Sequence, residues 1–336
     1  MLAAAACQAP AAAPVAPTTG APAAAAPTTP PTAPPELRRI EVPLAAISAQ
    51  DAPLWLGVDQ GMFARYGLAV ALIDMAPATA SQALSAGSAP VGMTGGSGVT
   101  AWLGGARNLV FVGGLINRAL FKVVARPEIA RFDDLRGRTA GGTTAGSAAT
   151  IAMQETLRRN GLEPGRDVSM VYLRDNPSLF TGLTSGAVYA AAMGSPWPER
   201  LEAQGGHVLV DLKKEGLELI TLNVTSTREQ LASDPDVVRR FLMGYVDAMQ
   251  AARDNPDQAI DAILHGTRGD DRAEAAESYE VYRDVWNPWP SAPAIGNLLK
   301  NIDLPEARTV DPAALIDDSI LRELEASGWL AEHYRP

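Results

Sequence analysis

Side chains able to perform catalysis are few in this 336-residue chain, and they do not form a catalytic pattern. The three histidines, His207, His265 and His333, are far apart in sequence and stand in unlike local contexts, so no base is paired with a nucleophile. A serine nucleophile elbow has the pattern G-x-S-x-G, which GGSG at 95–98 does not match. No His, Cys or carboxylate residues stand at metal-ligand spacing. We therefore expect neither an enzyme nor a bound metal or cofactor.

Small, polar loops that follow predicted strands are where ligand chemistry is expected, because open α/β sheets bind ligands at the carboxyl ends of their strands. The first loop spans residues 48–51. The second spans 95–98, where missing side chains let a ligand approach backbone N–H groups at a helix start. Turn formation alone explains both loops equally well. The candidate ligand-binding residues in them are Ser48, Ala49, Gln50 and Ser97.

Two further loops, in the second half of the predicted strand-helix alternation, contain candidate ligand-binding residues. The GGTTAGS segment at 141–147 precedes a predicted helix and offers hydroxyls and unpaired helix N-terminal amides to an anion or carbonyl. It lacks the lysine and spacing of a phosphate-binding P-loop. In the GSPWP segment at 194–198, two prolines hold a tryptophan that either faces a ligand or packs in the core. The candidates here are Thr143, Thr144, Gly146, Ser147, Ser195 and Trp197.

A cation also stands near these loops in the predicted topology. Asn117 and Arg118 follow a predicted strand, and the guanidinium of Arg118 suits a forked contact with a sulfonate or carboxylate. A solvated surface arginine is the alternative. An aromatic run further along is more typical of a core than of a cleft wall, and comprises Tyr279, Tyr282, Trp286 and Trp289.

Alternating elements must position these loops. From Leu37 onward, short β-rich runs alternate with helical patterns, which predicts an α/β protein with a largely parallel sheet. The first unit has a strand at 38–47, a helix opened by Pro53 and a strand at 68–75. After Thr225 the pattern is helical, with a predicted capping box at Thr227 and Gln230. One amphipathic helix is expected to pack back on the first lobe through Val238, Phe241, Leu242, Tyr245 and Met249.

Two extended runs, at 120–125 and 219–225, are interpreted as hinge crossings between two lobes. Lobe 1 is predicted to comprise residues 37–120 and 225–336, and lobe 2 residues 121–224. The segment 8–36 is rich in Ala, Pro and Thr, which leaves almost nothing to bury and predicts a disordered linker.

Cys7, the only cysteine, cannot form a disulfide within the chain. Residues 1–7 resemble the end of a bacterial lipoprotein signal peptide, whose cysteine becomes lipidated, although Ala4 replaces the usual leucine. The basic and most of the apolar regions of such a peptide are missing, so a start codon further upstream is expected. An incidental cysteine is the alternative interpretation.

Composition and charge argue against a nucleic-acid-binding or membrane-spanning protein. Apolar residues make up 47% of the chain and charged residues 20%, which is ordinary globular usage. The net charge of -10 and the absence of a Lys/Arg cluster argue against nucleic-acid binding. No segment approaches the length of about 18 apolar residues that a membrane-spanning helix needs.

From residue 37 onward the chain resembles the ABC-importer solute-binding proteins of the sulfonate, nitrate, taurine and thiamine-precursor group. The segments that carry the resemblance occur in the family's order, at 53–63, 67–68, 132–141 and 160–162. The resemblance implies a type II periplasmic-binding fold with two α/β lobes that close by hinge motion. It also places ligand contacts at 48–50, at Ser97, at 144–147, at 195–197 and at Asn223.

The resemblance implies that the chain is the extracytoplasmic solute-binding component of an ABC importer. The expected ligand is an alkyl sulfonate or similar small anion, with a pyrimidine or other heterocyclic vitamin precursor as the alternative. A ligand sensor for a signalling partner remains a further alternative. The expected partners are the solute, an ABC permease and the membrane through a lipid anchor only, and the expected state is a monomer. Related enzymes of thiamine-pyrimidine synthesis carry a cysteine-rich motif that this chain does not match, which favours transport.

Overall fold

The computed structural model describes residues 36–335 except 46, 217 and 303, and it has a mixed α/β fold with two five-stranded sheets. The predictions for Cys7 and for the linker therefore lie outside the described residues. Among the helices of the described part, none combines the length and apolar character required to cross a bilayer.

The described residues form ten strands, which divide equally between the two sheets. In chain order they are β1 Arg38–Leu44, β2 Leu68–Asp74, β3 Gly92–Met93, β4 Leu109–Arg118, β5 Lys122–Ala125, β6 Thr139–Gly142, β7 Ser169–Tyr172, β8 Ala190–Met193, β9 His207–Asp211 and β10 Glu218–Thr227. The first sheet has the order β2-β1-β3-β10-β4, and the second has the order β7-β6-β8-β5-β9.

Both sheets combine a parallel part with an antiparallel part. In the first, β1 runs parallel to β2 and β3, while β10 runs antiparallel to β3 and β4. In the second, β6 runs parallel to β7 and β8, while β5 runs antiparallel to β8 and β9. Parallel strands need helical crossovers, so the loops after β1, β3, β6 and β7 all lead into helices at one edge of their sheet. The first sheet and its helices are called lobe 1 below, and the second sheet and its helices lobe 2.

Thirteen α-helices are present among the described residues. They are α1 Ala52–Asp59, α2 Pro77–Ser85, α3 Gly96–Leu103, α4 Ala148–Arg159, α5 Asn176–Ser185, α6 Trp197–Glu202, α7 Arg228–Ser233, α8 Pro235–Asp254, α9 Pro256–Thr267, α10 Arg272–Tyr282, α11 Ala292–Lys300, α12 Ser319–Ala326 and α13 Trp329–His333. The structure also contains 3-10 turns at Ala49–Asp51, Phe63–Tyr66, Phe132–Leu135, Pro305–Arg308 and Pro312–Leu315.

Local signals determine where several helices begin. Ser147 Oγ accepts a hydrogen bond from Thr150 N at 3.3 Å, and so caps α4. Thr227 Oγ1 accepts from Gln230 N at 3.1 Å, as the predicted capping box requires. The reciprocal half of that box is missing, because the Gln230 side chain donates to Asp234 O instead. Thr227 alone therefore caps α7.

The amphipathic helix predicted after Pro235 is α8, and it packs on lobe 1 as expected. Its predicted apolar face is buried in one core cluster with Val42 and Leu44 of β1. The ring of Phe241 stacks on Phe63, with 5.1 Å between the ring centroids. Full burial of each such side chain stabilises the fold by roughly 1.5–3 kcal/mol. Lobe 1 therefore holds the loops after β1 and β3 on a well-packed base.

The chain crosses between the sheets twice. It first crosses from β4 to β5 through residues 119–121, which contain the predicted boundary at 120/121. The predicted return boundary at 224/225 falls inside β10, which pairs with β4 as far as Thr227. The return crossing therefore lies before Glu218, because the extended run interpreted as a hinge is a ladder-forming strand. The remaining lobe ranges stay a proposal.

Candidate ligand-binding site

A partly open cavity of about 50 Å³ lies between the two lobes. Lobe 1 contributes residues of the loops after β1 and β3 and of β10, and lobe 2 contributes residues of the loops after β6, β7 and β8. Five of the predicted ligand-binding residues line this cavity, namely Ser48, Gln50, Ser97, Thr143 and Ser147. The structure thus brings together candidates that are up to a hundred residues apart in sequence.

Helix N-termini from both lobes converge on the cavity. Pro77, Gly96, Ala148 and Asn176 are the first residues of α2, α3, α4 and α5, and all four line the cavity wall. The first turn of a helix carries the positive end of the helix dipole and N–H groups without intrahelical partners, although Thr150 N and Ser178 N are capped here by Ser147 and Asp175. Four such ends around one small space favour a negatively charged or electron-rich group there.

Hydrogen bonds to a buried carboxyl and to an indole hold the loop after β1 in place. Ser48 N donates to Asp51 Oδ2 at 3.2 Å, and Asp51 N donates to Ser48 O at 3.0 Å. Asp51 is fully buried, and its Oδ1 atom has no hydrogen-bond partner among the described residues. Burial raises the pKa of the Asp51 carboxyl well above its usual value, although the hydrogen bond from Ser48 opposes this shift. The indole N–H of Trp286 donates to Gln50 O at 3.2 Å and fixes the other end of the loop.

The loop after β6 presents a chain of hydroxyls. Thr143 Oγ1 and Ser147 Oγ are 2.6 Å apart, and Ser147 Oγ is 3.0 Å from Thr150 Oγ1. All three side chains are buried. Thr144 Oγ1 is also buried and finds no partner in the part of the chain that the structure describes. This loop therefore provides hydroxyl donors and acceptors without any ionised group.

The lobes touch around the cavity, so the structure is a closed form. Ala49 N donates to Ser195 O at 3.2 Å, and Thr100 Oγ1 donates to Gly146 O at 3.2 Å. A Cβ atom on Gly96 would lie 2.7 Å from Ala148 N, closer than real Cβ contacts allow. The predicted candidates Ala49, Gly146 and Ser195 thus contribute contacts between the lobes.

Three predicted site residues lie away from the cavity. Asn117 Nδ2 donates to Trp289 O at 2.9 Å within lobe 1. Arg118 is exposed at the end of β4, opposite Glu218 in the strand register, because the chain leaves the sheet there. Trp197 is 8% exposed and packs in the core of lobe 2, with its ring centroid 5.8 Å from that of Phe180. None of these three side chains lines the cavity, and their contact with a ligand stays a prediction.

Ser195 and Asn223 are placed near the site without lining it. Ser195 Oγ donates to Glu199 Oε1 at 3.0 Å, and the same carboxylate oxygen accepts from Lys122 Nζ at 2.7 Å. Asn223 is fully buried in β10, next to the lining residue Leu222. Neither polar atom of its side-chain amide is paired with another described residue. The predicted core aromatics are indeed buried, except Trp289, which is only partly buried.

Several lining residues were missed by the sequence analysis. They are Pro77, Thr94, Phe121, Asn176, Gly194 and Thr221, together with apolar neighbours of the candidates. For Asn176, the signal was available, since Asp175-Asn176-Pro177 marks a helix start after a strand. For Phe121 and Thr221, no local pattern distinguishes a crossing or strand residue that faces the cleft from one that does not.

Comparison with known proteins bears on this site. A family model described as NMT1/THI5 like matches residues 48–259, a range that contains every predicted ligand-binding residue. No curated protein matches the chain.

Solved structures resemble the chain over most of its length. The alkanesulfonate-binding protein SsuA from Xanthomonas axonopodis pv. citri, bound to MOPS, is 19% identical with a TM-score of 0.69, covering 84% of this chain and 96% of that one. The periplasmic nitrate-binding protein NrtA from Synechocystis PCC 6803 is 14% identical with a TM-score of 0.69, covering 90% and 92%. A mutant of DszB in complex with biphenyl-2-sulfinic acid is 16% identical with a TM-score of 0.60, covering 87% and 100%. At these identities the likenesses establish the fold, and they confirm the predicted two-lobed periplasmic-binding architecture.

Proposed function

This chain belongs to the NMT1/THI5-like family, and we propose that it is the solute-binding component of an ABC importer, acting outside the cytoplasmic membrane. The shared fold with proteins that bind alkanesulfonate and nitrate supports this role. In this role the open cleft captures a solute, loops of both lobes replace its hydration water, and the closed form docks on a permease.

The observation that carries the proposal is the convergence of four helix N-termini, two from each lobe, on one cavity. Closure brings the positive ends of these helices together, so a bound anion stabilises the closed form. We therefore favour a small organic anion such as an alkyl sulfonate. Arg118 does not line the cavity, so the preference for an anion rests on the helix N-termini.

The cavity volume favours a small charged group over a heterocycle. The cavity of about 50 Å³ is small beside the pocket of about 620 Å³ next to Asp74 and Arg174, so it favours a compact group. The stacking partner expected for a heterocycle, Trp197, packs in the core of lobe 2.

Capture without turnover is supported by the chemistry of the cavity wall. Its described lining residues carry hydroxyl, amide or apolar side chains. Since DszB shares the fold, the proposal needs a direct check. Prolonged incubation of the protein with a bound sulfonate, followed by mass spectrometry, is expected to return the sulfonate unchanged. Release of sulfite or another product would contradict capture.

We further propose that Cys7 is lipidated, that residues 8–36 form the tether and that the protein is a monomer. When it is exported behind a lipoprotein signal peptide, the wild-type protein is expected to partition with membranes, and Cys7→Ala is expected to release it. Partitioning that is unaffected by Cys7→Ala would refute the anchor. Light scattering is expected to give the mass of a single chain in solution.

The binding function is tested by thermal shift and calorimetry on the full chain with sulfonates, nitrate, carboxylates and pyrimidines. A ligand at 100 times its dissociation constant adds about 2.7 kcal/mol of stability. Ser97→Ala removes a hydroxyl from the cavity wall and is expected to weaken the binding of a sulfonate by about tenfold. Ser233→Ala, at an exposed position of α7, is the matched control. A folded protein that binds none of these anions would refute the proposed function.

A further inference from the structure

The two lobes also meet outside the cavity wall, at helix α10 of lobe 1. Arg200, in α6 of lobe 2, donates through Nε to Glu274 Oε1 of α10 at 2.7 Å. Among the ion pairs between described residues, this one alone joins the two lobes. Neither residue lines the cavity, so the pair is free to act on closure without touching the solute.

This ion pair is largely shielded from water. The side chain of Arg200 is 24% exposed and that of Glu274 is 19% exposed. Burial raises the pKa of Glu274, and the guanidinium of Arg200 opposes this shift. The Glu274 carboxylate is therefore costly in the closed form unless Arg200 is beside it.

Lobe 2 holds the arginine in position. The guanidinium carbon of Arg200 lies 4.9 Å from the ring centroid of Trp197, a cation–π contact. Trp197 is itself part of a core cluster of lobe 2. The tryptophan of the 194–198 segment therefore supports the side chain that reaches across to lobe 1.

Lobe 2 contacts the other end of α10 as well. Lys213, which follows β9, donates through Nζ to Val281 O at 3.0 Å, where the helix has the negative end of its dipole. A Cβ atom on Gly194 would lie 2.8 Å from the Tyr282 hydroxyl oxygen, so the loop after β8 also passes close to this helix end. Lobe 2 thus contacts α10 in its first turn and in its last.

We propose that Arg200 and Glu274 form a latch that determines the affinity for the solute by making closure of the lobes less costly. This inference rests on the proposed binding function and adds a determinant of affinity outside the cavity. A solute that is bound only in the closed form is held more weakly when that form is less accessible. Loss of one latch residue leaves the charge of the other to be buried on closure, whereas loss of both removes that cost.

A double-mutant cycle, measured by calorimetric titration of the full chain with methanesulfonate and with nitrate, tests the latch. Arg200→Gln leaves the Glu274 carboxylate without its partner and is expected to weaken binding by about tenfold. Glu274→Gln leaves the more exposed guanidinium and is expected to weaken binding by about threefold. The double variant is expected to lie within about twofold of the wild type, and so to bind more tightly than Arg200→Gln.

Three further readouts distinguish a latch from a ligand contact or a folding defect. Because the latch acts on closure, each single variant should weaken methanesulfonate and nitrate by the same factor. Stopped-flow measurements should show faster release of both anions, and the melting temperature without ligand should be unchanged. Glu323→Gln breaks an ion pair with Arg239 inside lobe 1, and as the matched control it should keep the wild-type affinity.

The outcomes separate the two proposals. If the anions bind but the single variants lose no more affinity than Glu323→Gln, or if the double variant binds no better than Arg200→Gln, the latch is refuted and the binding function stands. Unequal losses for methanesulfonate and nitrate, or a lower melting temperature without ligand, would likewise overturn the latch. If the folded wild-type protein binds no anion, both proposals fail.

Discussion

Asp51 shows at the scale of single residues how a buried group supports the ligand loop. Its carboxyl accepts the Ser48 N–H and leaves Oδ1 unpaired among the described residues, in a region that excludes water. An ionised carboxylate is costly in such a place, which is why burial raises the pKa of Asp51. The loop that lines the cavity is thus held by a group whose protonation depends on pH.

A pH dependence of stability follows from the raised pKa of Asp51. The folded protein binds this proton more tightly than the unfolded chain, whose aspartate pKa is about 4. The stabilisation that protonated Asp51 gives the folded state is therefore fully present below about pH 4. It is lost as the pH rises toward the folded-state pKa, by at most about 1.4 kcal/mol per pH unit. Asp51→Asn should abolish this part of the slope in urea unfolding between pH 4 and 8. Asp270→Asn, at an exposed position, is the control, and an unchanged slope in Asp51→Asn would contradict the account.

Asn223 allows a second test at this scale. Its amide is fully buried with both polar atoms unpaired among the residues described, a defect that costs about 1–3 kcal/mol when no partner is present. Asn223→Leu, of similar volume, is expected to raise the free energy of unfolding by about 1–2 kcal/mol. Thr225→Val, on the same strand, breaks a 2.6 Å contact with Thr94 Oγ1 and is expected to destabilise. Destabilisation by Asn223→Leu would mean that the amide has a partner, such as a buried water or the solute.

At the scale of elements, the site is a meeting of helix starts rather than a set of reactive side chains. The first turn of α3 belongs to lobe 1 and that of α4 to lobe 2, and they approach each other at Gly96 and Ala148. This approach requires a residue without a side chain at position 96. Glycine there serves the contact between lobes, since its φ is not in the left-handed region.

Gly96→Ala is therefore expected to impair closure while leaving each lobe folded. Its new Cβ would lie 2.7 Å from Ala148 N and 2.9 Å from Gly146 O, both in lobe 2. Calorimetry should show at least about tenfold weaker binding of methanesulfonate, with an unchanged melting temperature without ligand. Gly104→Ala is the control at the exposed far end of the same helix, where the nearest atom would be 3.4 Å away. Equal affinities of the two variants would exclude this role for Gly96.

At the scale of the whole molecule, the contacts between the lobes around the cavity imply motion. Contacts such as Ala49 N to Ser195 O narrow the access to the cavity, and we expect them to break when a solute enters. Small-angle X-ray scattering is expected to show a larger radius of gyration without ligand than with saturating sulfonate. Identical scattering curves in a sample shown to bind would argue against hinge closure.

Much of the architecture was predictable because its signals are local. Apolar spacing identified α8 and its buried face, and strand-then-helix alternation identified the α/β class. The loops at 48–51, 95–98 and 141–147 were identified from small polar residues after strands. The return crossing was misplaced because an extended run has the same pattern in a hinge as in a strand.

The sequence by itself determined which backbone segments carry the site, since helix starts and glycine-bearing turns are encoded by neighbouring residues. Only the tertiary structure decided which side chains face the cavity. Arg118 and Trp197 have chemistry suited to a ligand, yet the direction of a strand end and the inward face of α6 point them elsewhere. Asn176 and Thr221 reach the cavity because two lobes, joined by distant crossings, close on each other. That juxtaposition depends on long-range packing, which no local pattern records.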